Sequence, residues 1–538
     1  MKAFRASLRE FARPGKRTNS LFQRDSFLIF ILLLLALLVY SPAMNARLFF
    51  DDEYYIVRNT YVHDLANLPK LFTTAGTAGS GFFGSLYRPL QFVFHSFVYH
   101  FFGTTPLAYH LLSVLVHVGC SVLLFYLLRD FGLRRTVSFF AGLLFLVHPA
   151  NAQAVSYVSG LGDPLGLFFV LSAILVYRKD RLFKSRLLQY TLFALLIGFS
   201  LLSKERSIVF LGLFFIADMA FPKRPEHGVR HISRYPFYTI SIAATALYVL
   251  IRKSFLDFGQ IVLAGLSSAS GAVTVFYTFL YAFWEYLVAV FFPVVLYSEH
   301  PVMVFSTLSH PGILISLAVL MILGTLSMWK YKSEKMLFFC FFWFLAALLP
   351  TSGIVPMAYT MKEHWIYYSM AGFSAGASFY FFRFAGSKKA AVSVFLVICL
   401  ILGARGFARN IEWSDPKLFF QTELKYNPDS ENAIANLAYE YYLEGDIDSA
   451  ISLYRRGIEV AKTGQLAMMY YNLGYMYHLK NETDSAIPLY RKSLEIDPYY
   501  IYALQELSKY YYSTGNQEEF RRYYSRLLEL ERKISTGL

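Results

Sequence analysis

Between residues 47 and 59 the chain reads RLFFDDEYYIVRN. Its three consecutive acids, Asp51, Asp52 and Glu53, follow closely on one of the most apolar runs in the sequence, FLIFILLLLALLVYSPAM at 27–44. A carboxylate held against a low-dielectric wall can take a proton from an incoming hydroxyl or hold a divalent cation. Other short turns between apolar runs carry groups of complementary type. Arg88 stands in LYRPL, Lys204–Glu205–Arg206 have almost no loop to solvate them, and Glu363–His364 open a further run. A guanidinium suits a two-point grip on phosphate. His110 and His117 lie seven apart on one helix face, and His148 opens a turn that ends in Asp163. Taken singly, each has a plain structural use: an acid capping a span, a packed histidine, a neutralising Lys–Glu pair. Together they put ionisable groups at membrane depth, where their cost marks functional cavities. Transfer of a sugar from a lipid phosphate fits this set. The cations would grip the phosphate and meet the charge developing on it, while an acid deprotonates the acceptor hydroxyl or holds a metal.

The elements that must position these groups are membrane helices. Of the 538 residues, 56% are hydrophobic, 18% aromatic and only 16% charged, which excludes an ordinary soluble protein. The net charge of +14 is uneven: from Arg409 onward there are 15 Lys/Arg against 19 Asp/Glu, so the excess lies in the first 408 residues. There it falls in turns between apolar runs, which reads as cytoplasmic loops and not as a nucleic-acid surface. The N-terminal 24 residues carry seven Lys/Arg and one acid and belong inside; the first span then delivers Asp51–Glu53 outside. Apolar runs recur near 109–128, 137–149, 163–177, 188–203, 206–221, 236–251, 272–296, 311–329, 336–351, 366–382 and 390–407. Residues 87–103, YRPLQFVFHSFVYHFFG, read as an amphipathic helix at the interface. Alternation breaks between 252 and 300, where either an even number of extra crossings or one re-entrant segment is needed. The expectation is therefore an all-α, polytopic bundle of about 11 or 13 spans over 27–408, after a cytoplasmic segment 1–26. The three cysteines lie inside apolar runs and imply no disulfide framework.

From 409 the chain changes character and repeats itself. NLAYEYYLEGDIDSAISLY (436–454) recurs as NLGYMYHLKNETDSAIPLY (472–490), and a degenerate copy follows at 506–524. Leu437, Ala438, Tyr441, Ala450 and Tyr454 match Leu473, Gly474, Tyr477, Ala486 and Tyr490. These are the large and small packing positions of tetratricopeptide (TPR) repeats, closed by Pro428 and Pro498. Residues 409–538 should form an α-solenoid outside the membrane, a docking platform for protein.

In chain order, FFDDEYYIVRN, YRPL, YHLLSVLVHVG, LLFLVHPANAQAVSYVSGLGD, SKE, LLPTSGIVPM, KEHWIYYSMAGF and RNIEWSD, ahead of the repeats, resemble the transmembrane and TPR repeat-containing proteins. These are GT-C glycosyltransferases related to protein O-mannosyltransferases. The resemblance implies an inverting transferase that uses a polyprenyl-phosphate-linked sugar, mannose in characterised relatives, and a protein hydroxyl as acceptor. It puts the first-loop acids on Asp51–Asp52–Glu53, with Asp52 the preferred base and Asp51 next. Arg88, His110, His148, Asp163, Lys204, Glu205, Glu363 and His364 then become substrate-binding candidates. Two departures stand out. Glu363–His364 replaces the usual Glu-Arg, and HPANAQAV puts Asn151 and Gln153 where relatives carry a histidine and an acid, which weakens a metal role for that turn. A divalent metal on Asp51 and Asp52 stays open. Partners would be the lipid-linked donor, membrane lipids and an acceptor protein on the TPR solenoid. The short basic N-terminus and absence of sorting signals suit a bacterial inner membrane with a periplasmic site, the endoplasmic reticulum being the alternative. Competing functions are a transferase acting on a glycolipid or surface polysaccharide and a non-enzymatic TPR scaffold. A scaffold needs one span and no acids or cations in its outer turns, and a transporter would gather its charges at the midplane.

Overall fold

The computed structural model describes residues 25–80, 86–179, 185–223, 233–255, 271–301, 303–354, 359–461 and 465–536. The expected basic N-terminal segment lies outside these as far as Arg24, as do parts of the basic turns at 178–186 and 223–234. The described residues form helices joined by turns, with one isolated antiparallel bridge between Glu299 and Lys362. The chain divides into two compact units, Met1–Ser414 and Asp415–Leu538. The division falls later than the expected 408/409 because the last helix of the first unit runs unbroken to Ser414, with Arg409, Asn410 and Trp413 buried.

The helices of the first unit are α1 (Asp25–Tyr40), α2 (Pro89–Phe102), α3 (Pro106–Asp130), α4 (Arg135–Val147), α5 (Gly162–Arg178), α6 (Arg186–Ser203) and α7 (Phe210–Ala220). They continue as α8 (Tyr235–Phe255), α9 (Ala272–Phe291), α10 (Pro311–Trp329), α11 (Lys335–Leu348), α12 (Tyr367–Phe384) and α13 (Lys388–Ser414). Their termini meet in two sets. At the basic end, Asp25 of α1 pairs with Arg135 of α4 at 2.6 Å, and Asp130 of α3 holds Arg178 and, at 2.8 Å, Lys179 after α5. There too Tyr331 donates to the Met219 carbonyl of α7 at 2.6 Å, Arg234 sits 3.7 Å from Asp218, and Arg383 of α12 grips Glu334. At the opposite end Asp52, Arg88, His148, Asp163, Lys204, Glu363 and Arg409 bond to one another's turns.

Among the described helices, α1, α3 to α8 and α10 to α13 place their two ends in opposite sets. Only seven helices qualify as spans by their own length and apolarity, or eight if α4 and the helical turns Pro149–Ser156, bent from it by 57°, are one span. Of the remainder, α8 and α12 are long enough, at 21 and 18 residues, but not apolar enough, and the others are short. α7 has 11 residues and α11 has 14, and each is extended by a 3-10 turn, Glu205–Val209 and Leu349–Thr351. A helix buried among others need not match the full thickness of the hydrocarbon with one apolar face.

α9 qualifies as a span by length yet does not cross. Near its start, Thr278 accepts from the Phe305 backbone at 3.1 Å and Tyr281 packs on His310. Near its end, Tyr286 donates to the Lys362 carbonyl at 3.2 Å and Val290 accepts from His148 at 3.0 Å. All four partners belong to the acid-bearing end, so α9 lies along that end and supplies the non-crossing segment the alternation requires. In a cysteine-free background, Gly271→Cys should react with an impermeant thiol reagent from the same side as Glu53→Cys and the opposite side from Lys332→Cys. Labelling that follows Lys332→Cys would make α9 a span. α2 also lies at this end, with Gln91, Phe92 and His95 buried and Phe97, Phe101 and Phe102 exposed, as an interfacial helix requires.

The second unit holds α14 (Pro416–Tyr426) and three helix pairs: α15 (Glu431–Leu443) with α16 (Ile447–Val460), α17 (Leu466–Leu479) with α18 (Thr483–Ile496), and α19 (Ile501–Ser513) with α20 (Gln517–Thr536). Ala450 and Ala486 are fully buried at the crossings, and a Cβ on Gly474 would meet the Tyr490 ring at 2.8 Å, so the small residues set how closely each pair approaches. Each pair turns on one residue of positive φ, Gly445, Asn481 and Gly515, at the spacing of the repeat.

Candidate active site

The first acid-bearing turn sends its three carboxylates in three directions, because successive residues of a helical turn point about 100° apart. Phe50 adopts a left-handed φ of 60°, and a π-helical turn follows over Glu53–Val57. Asp51 faces a cavity. Asp52 turns inward, 2% exposed, and accepts from the Ser159 backbone at 2.8 Å and its hydroxyl at 2.5 Å. Burial pushes the Asp52 carboxyl up to about 7 despite these bonds. Glu53 pairs with Arg58 at 2.8 Å on the surface. The ordinary unfolded value for an aspartate is about 3.9, so the folded chain holds the Asp52 proton the more tightly. The stability this confers is complete below about pH 4 and is lost as pH rises through 7. Asp52→Asn cannot ionise, so its unfolding temperature should climb relative to the parent from about pH 5 to about pH 8. A constant gap over that range refutes the assignment.

The cavity has a volume of about 660 Å³ and is lined by Phe50, Asp51, Tyr55, Arg88, Gln153, Tyr157, Ser159, Gly160, Lys204, Glu205, Arg206, Ile208, Tyr248, Val249, Arg252, Lys253, Pro350, Lys362, His364 and Trp365. Six cations face two carboxylates, Asp51 and Glu205. Arg88 holds Glu205 by two bonds, 2.7 and 2.6 Å. Burial alone would raise the Glu205 carboxyl, but Arg88 outweighs it and keeps it well below the usual carboxylate range. Behind the wall lies Asp163, fully buried, 2.9 Å from Lys204, 3.6 Å from Arg206 and 4.0 Å from His364. Burial first and Arg88 second lower the Lys204 ammonium. Burial, then Lys204 and Lys362, push His364 far down, so it stays neutral. Lys362 is 3.4 Å from Glu299, and Arg206 also donates to the Trp365 carbonyl. Gly162 opens α5 against this loop: a Cβ there would meet the Ser203 carbonyl at 2.7 Å and the Gln91 carboxamide at 2.6 Å, so only glycine lets Asp163 come under Lys204.

Of the residues expected from sequence, Asp51, Arg88, Lys204, Glu205 and His364 line one cavity. Asp52 does not, which corrects its preference as base: its carboxylate is spent on Ser159, a lining residue. Glu53 sits in its surface pair. His110 bonds the Ala46 carbonyl at 3.2 Å and His148 the Val290 carbonyl at 3.0 Å, so both are packing histidines. Asp163 is a counter-ion one layer back. Glu363 pairs with Arg409 at 2.8 Å and lines a separate cavity of about 60 Å³. Sequence reasoning passed over Tyr55, Tyr157, Tyr248, Arg252, Lys253, Lys362 and Trp365. The one available signal was Arg252–Lys253 at the far end of an apolar run. Asp51 and Asp52 diverge, and among the described residues no three His, Cys, Asp or Glu side chains converge as metal ligands. With Glu205 held by Arg88, this cationic cavity does not fit a divalent metal.

Residues 432–463 and 467–500 each match a tetratricopeptide repeat family. Over 200 residues the chain is 34% identical to the protein O-mannosyl-transferase Tmtc1 of Drosophila melanogaster, covering 36% of this chain and 23% of that one. Over 445 residues it is 22% identical to the protein O-mannosyl-transferase F38B6.6 of Caenorhabditis elegans, covering 79% and 61%. The chain is similar also to the protein O-mannosyl-transferase TMTC3 of Mus musculus, 30% identical over 175 residues, covering 30% of this chain and 18% of that one. The matched segment spans less than two thirds of each relative. All three relatives are animal proteins and give the bacterial inner-membrane expectation no support. Among solved structures the chain is similar to the oligosaccharyltransferase of Archaeoglobus fulgidus (13% identity, TM-score 0.42, 79% of this chain and 60% of that one). It is similar also to ArnT of Cupriavidus metallidurans bound to undecaprenyl phosphate (13%, 0.41, 88% and 80%).

Proposed function

We propose that this chain is a membrane glycosyltransferase that moves a hexose, mannose by the names of its homologues, from a polyprenyl-phosphate carrier to a hydroxyl of an acceptor protein. Asp51 is the base. It takes the acceptor proton as the hydroxyl oxygen bonds to the anomeric carbon, the bond from that carbon to the phosphate oxygen breaks, and the configuration inverts. Arg88, Lys204, Arg206 and the Arg252–Lys253 pair stabilise the charge that grows on the departing lipid phosphate. Lys204, whose ammonium is disfavoured by burial and by Arg88, gains most from the phosphate: the donor arrives as a monoanionic diester, and the charge rises toward two as the lipid phosphate departs. The observation that carries this reading is the sharing of one cavity by Asp51 and six cations drawn from four separate segments of the chain. Its test is sugar transfer by purified protein supplied with polyprenyl-phosphate mannose and an acceptor: activity in the parent and none in Asp51→Asn supports it, while no transfer to peptide but transfer to a glycolipid would reassign the acceptor.

The TPR unit recruits the acceptor in this reading. Truncation after Ser414 should leave the first unit folded, transfer to short peptides largely intact, and transfer to folded protein acceptors reduced about tenfold or more through lost effective concentration. Equal loss on both substrates would give the TPR unit a structural role instead.

A further inference from the structure

Phe50 is one of two non-glycine residues with positive φ among the described residues, and it directly precedes Asp51. A bulky residue in the left-handed region is strained and persists only where its surroundings over-determine it. Here the surroundings are an aromatic stack. The Phe50 ring packs on Tyr157 at 5.8 Å, and Tyr157 stacks on Trp413 at 5.6 Å with planes 29° apart. Trp413 also packs on Phe49 at 6.0 Å. Trp413 is 1% exposed, on the last turn of α13, and the guanidinium of Arg409 lies 5.8 Å from its ring centre. Arg409 is itself fixed by Glu363 at 2.8 Å and Glu412 at 2.5 Å. Trp413 thus touches the residue before Phe50 and the ring that holds Phe50, yet does not line the cavity.

We infer that Trp413 is a positioning residue: it clamps Phe49 and Tyr157 so that Phe50 keeps its left-handed conformation and Asp51 points into the cavity. The inference rests on Asp51 as the base for its kinetic consequence but not for its geometric one. The strain sits in one backbone torsion, so a residue that adopts that torsion freely makes the clamp dispensable. Phe50→Gly is that residue, since glycine reaches positive φ without steric cost.

Two readouts on the full-length chain test this. In a background without Cys120, Cys340 and Cys399, Asp51→Cys should react readily with a negatively charged methanethiosulfonate drawn in by the cations. Trp413→Leu should slow that reaction about tenfold, and adding Phe50→Gly should return it to within about threefold of the starting rate. With Asp51 in place, Trp413→Leu should lower kcat for sugar transfer about tenfold with the donor KM within about twofold, whereas in a Phe50→Gly background it should cost threefold or less. Equal losses in both backgrounds, or a loss under threefold from Trp413→Leu alone, overturn the inference. Should Trp413→Leu not fold, Trp413→Phe is read by the same comparison, with a smaller loss that Phe50→Gly likewise removes. Because the thiol reaction needs no sugar transfer, a parent inactive in transfer refutes the proposed function and leaves the labelling to decide on Trp413.

Discussion

Asp51→Asn is expected to abolish sugar transfer, by about a thousandfold or more, while the protein still inserts, folds and binds the lipid phosphate. A positioned general base is worth about 10²–10⁴ in rate, and asparagine keeps the shape of the side chain but cannot take the proton. The neighbour provides the contrast. Asp52 cannot reach the cavity without giving up two bonds to Ser159. Asp52→Asn should therefore cost far less in kcat, because the carboxamide oxygen can still accept from Ser159. Lipid phosphate binding should survive both substitutions, since Arg88, Lys204 and Arg206 are anchored by Glu205 and Asp163 and not by the first-turn acids. Measuring kcat and donor KM for each variant separates the two acids. If Asp52→Asn is the dead enzyme and Asp51→Asn the active one, the assignment of the base made from geometry is reversed. If both are active, neither is the base.

The sequence made the helices and their sidedness legible for a simple reason: lysines and arginines gather in the turns at one end and carboxylates in the turns at the other, and hydrocarbon permits little else between. The repeats were legible too, because Gly474 or Ala486 opposite Tyr490 is a packing constraint that recurs at a fixed spacing. The site was half legible. Arg88, Lys204 and Glu205 stood out as charges with nowhere to be solvated, and the structure pairs Arg88 with Glu205 across 117 residues. What the sequence could not convey was orientation. Asp51 and Asp52 are adjacent and chemically identical, and one φ angle, at Phe50, decides which of them sees the cavity. The histidines misled for the opposite reason: His110 and His148 sit at helix ends facing the right side of the membrane, but a carbonyl lies within reach of each and uses its ring. Lys362 was passed over because its turn looked like ordinary loop. Its place depends on the bridge to Glu299, 63 residues away. α9 reads as a span from composition alone, and only its contacts at both ends show that it lies flat.

Asp163→Leu is expected to cost about 3–5 kcal/mol of stability, and Asp163→Asn to yield a folded enzyme whose activity fails at lower pH than the parent's. Asp163 is fully buried, does not touch the cavity, and is the shared counter-ion of Lys204 and Arg206. Removing a carboxylate from beneath two buried cations leaves charge without compensation, which is the costly way to break a buried pair. Asparagine softens the loss by keeping an oxygen near Lys204 at 2.9 Å, but it removes the charge that holds the ammonium protonated against burial and against Arg88. The Lys204 proton should then leave at lower pH. Since phosphate binding needs the ammonium, the alkaline limb of kcat/KM for the lipid donor should move down by about one pH unit or more, with the acid limb unmoved. The acid limb is the control, because it reports groups that Asp163 does not face. An Asp163→Asn enzyme with the parental alkaline limb would mean that Lys204 draws its charge from Glu205 or from the bound phosphate itself. In that case the buried aspartate would serve only to tie α5 to the loop that follows α6.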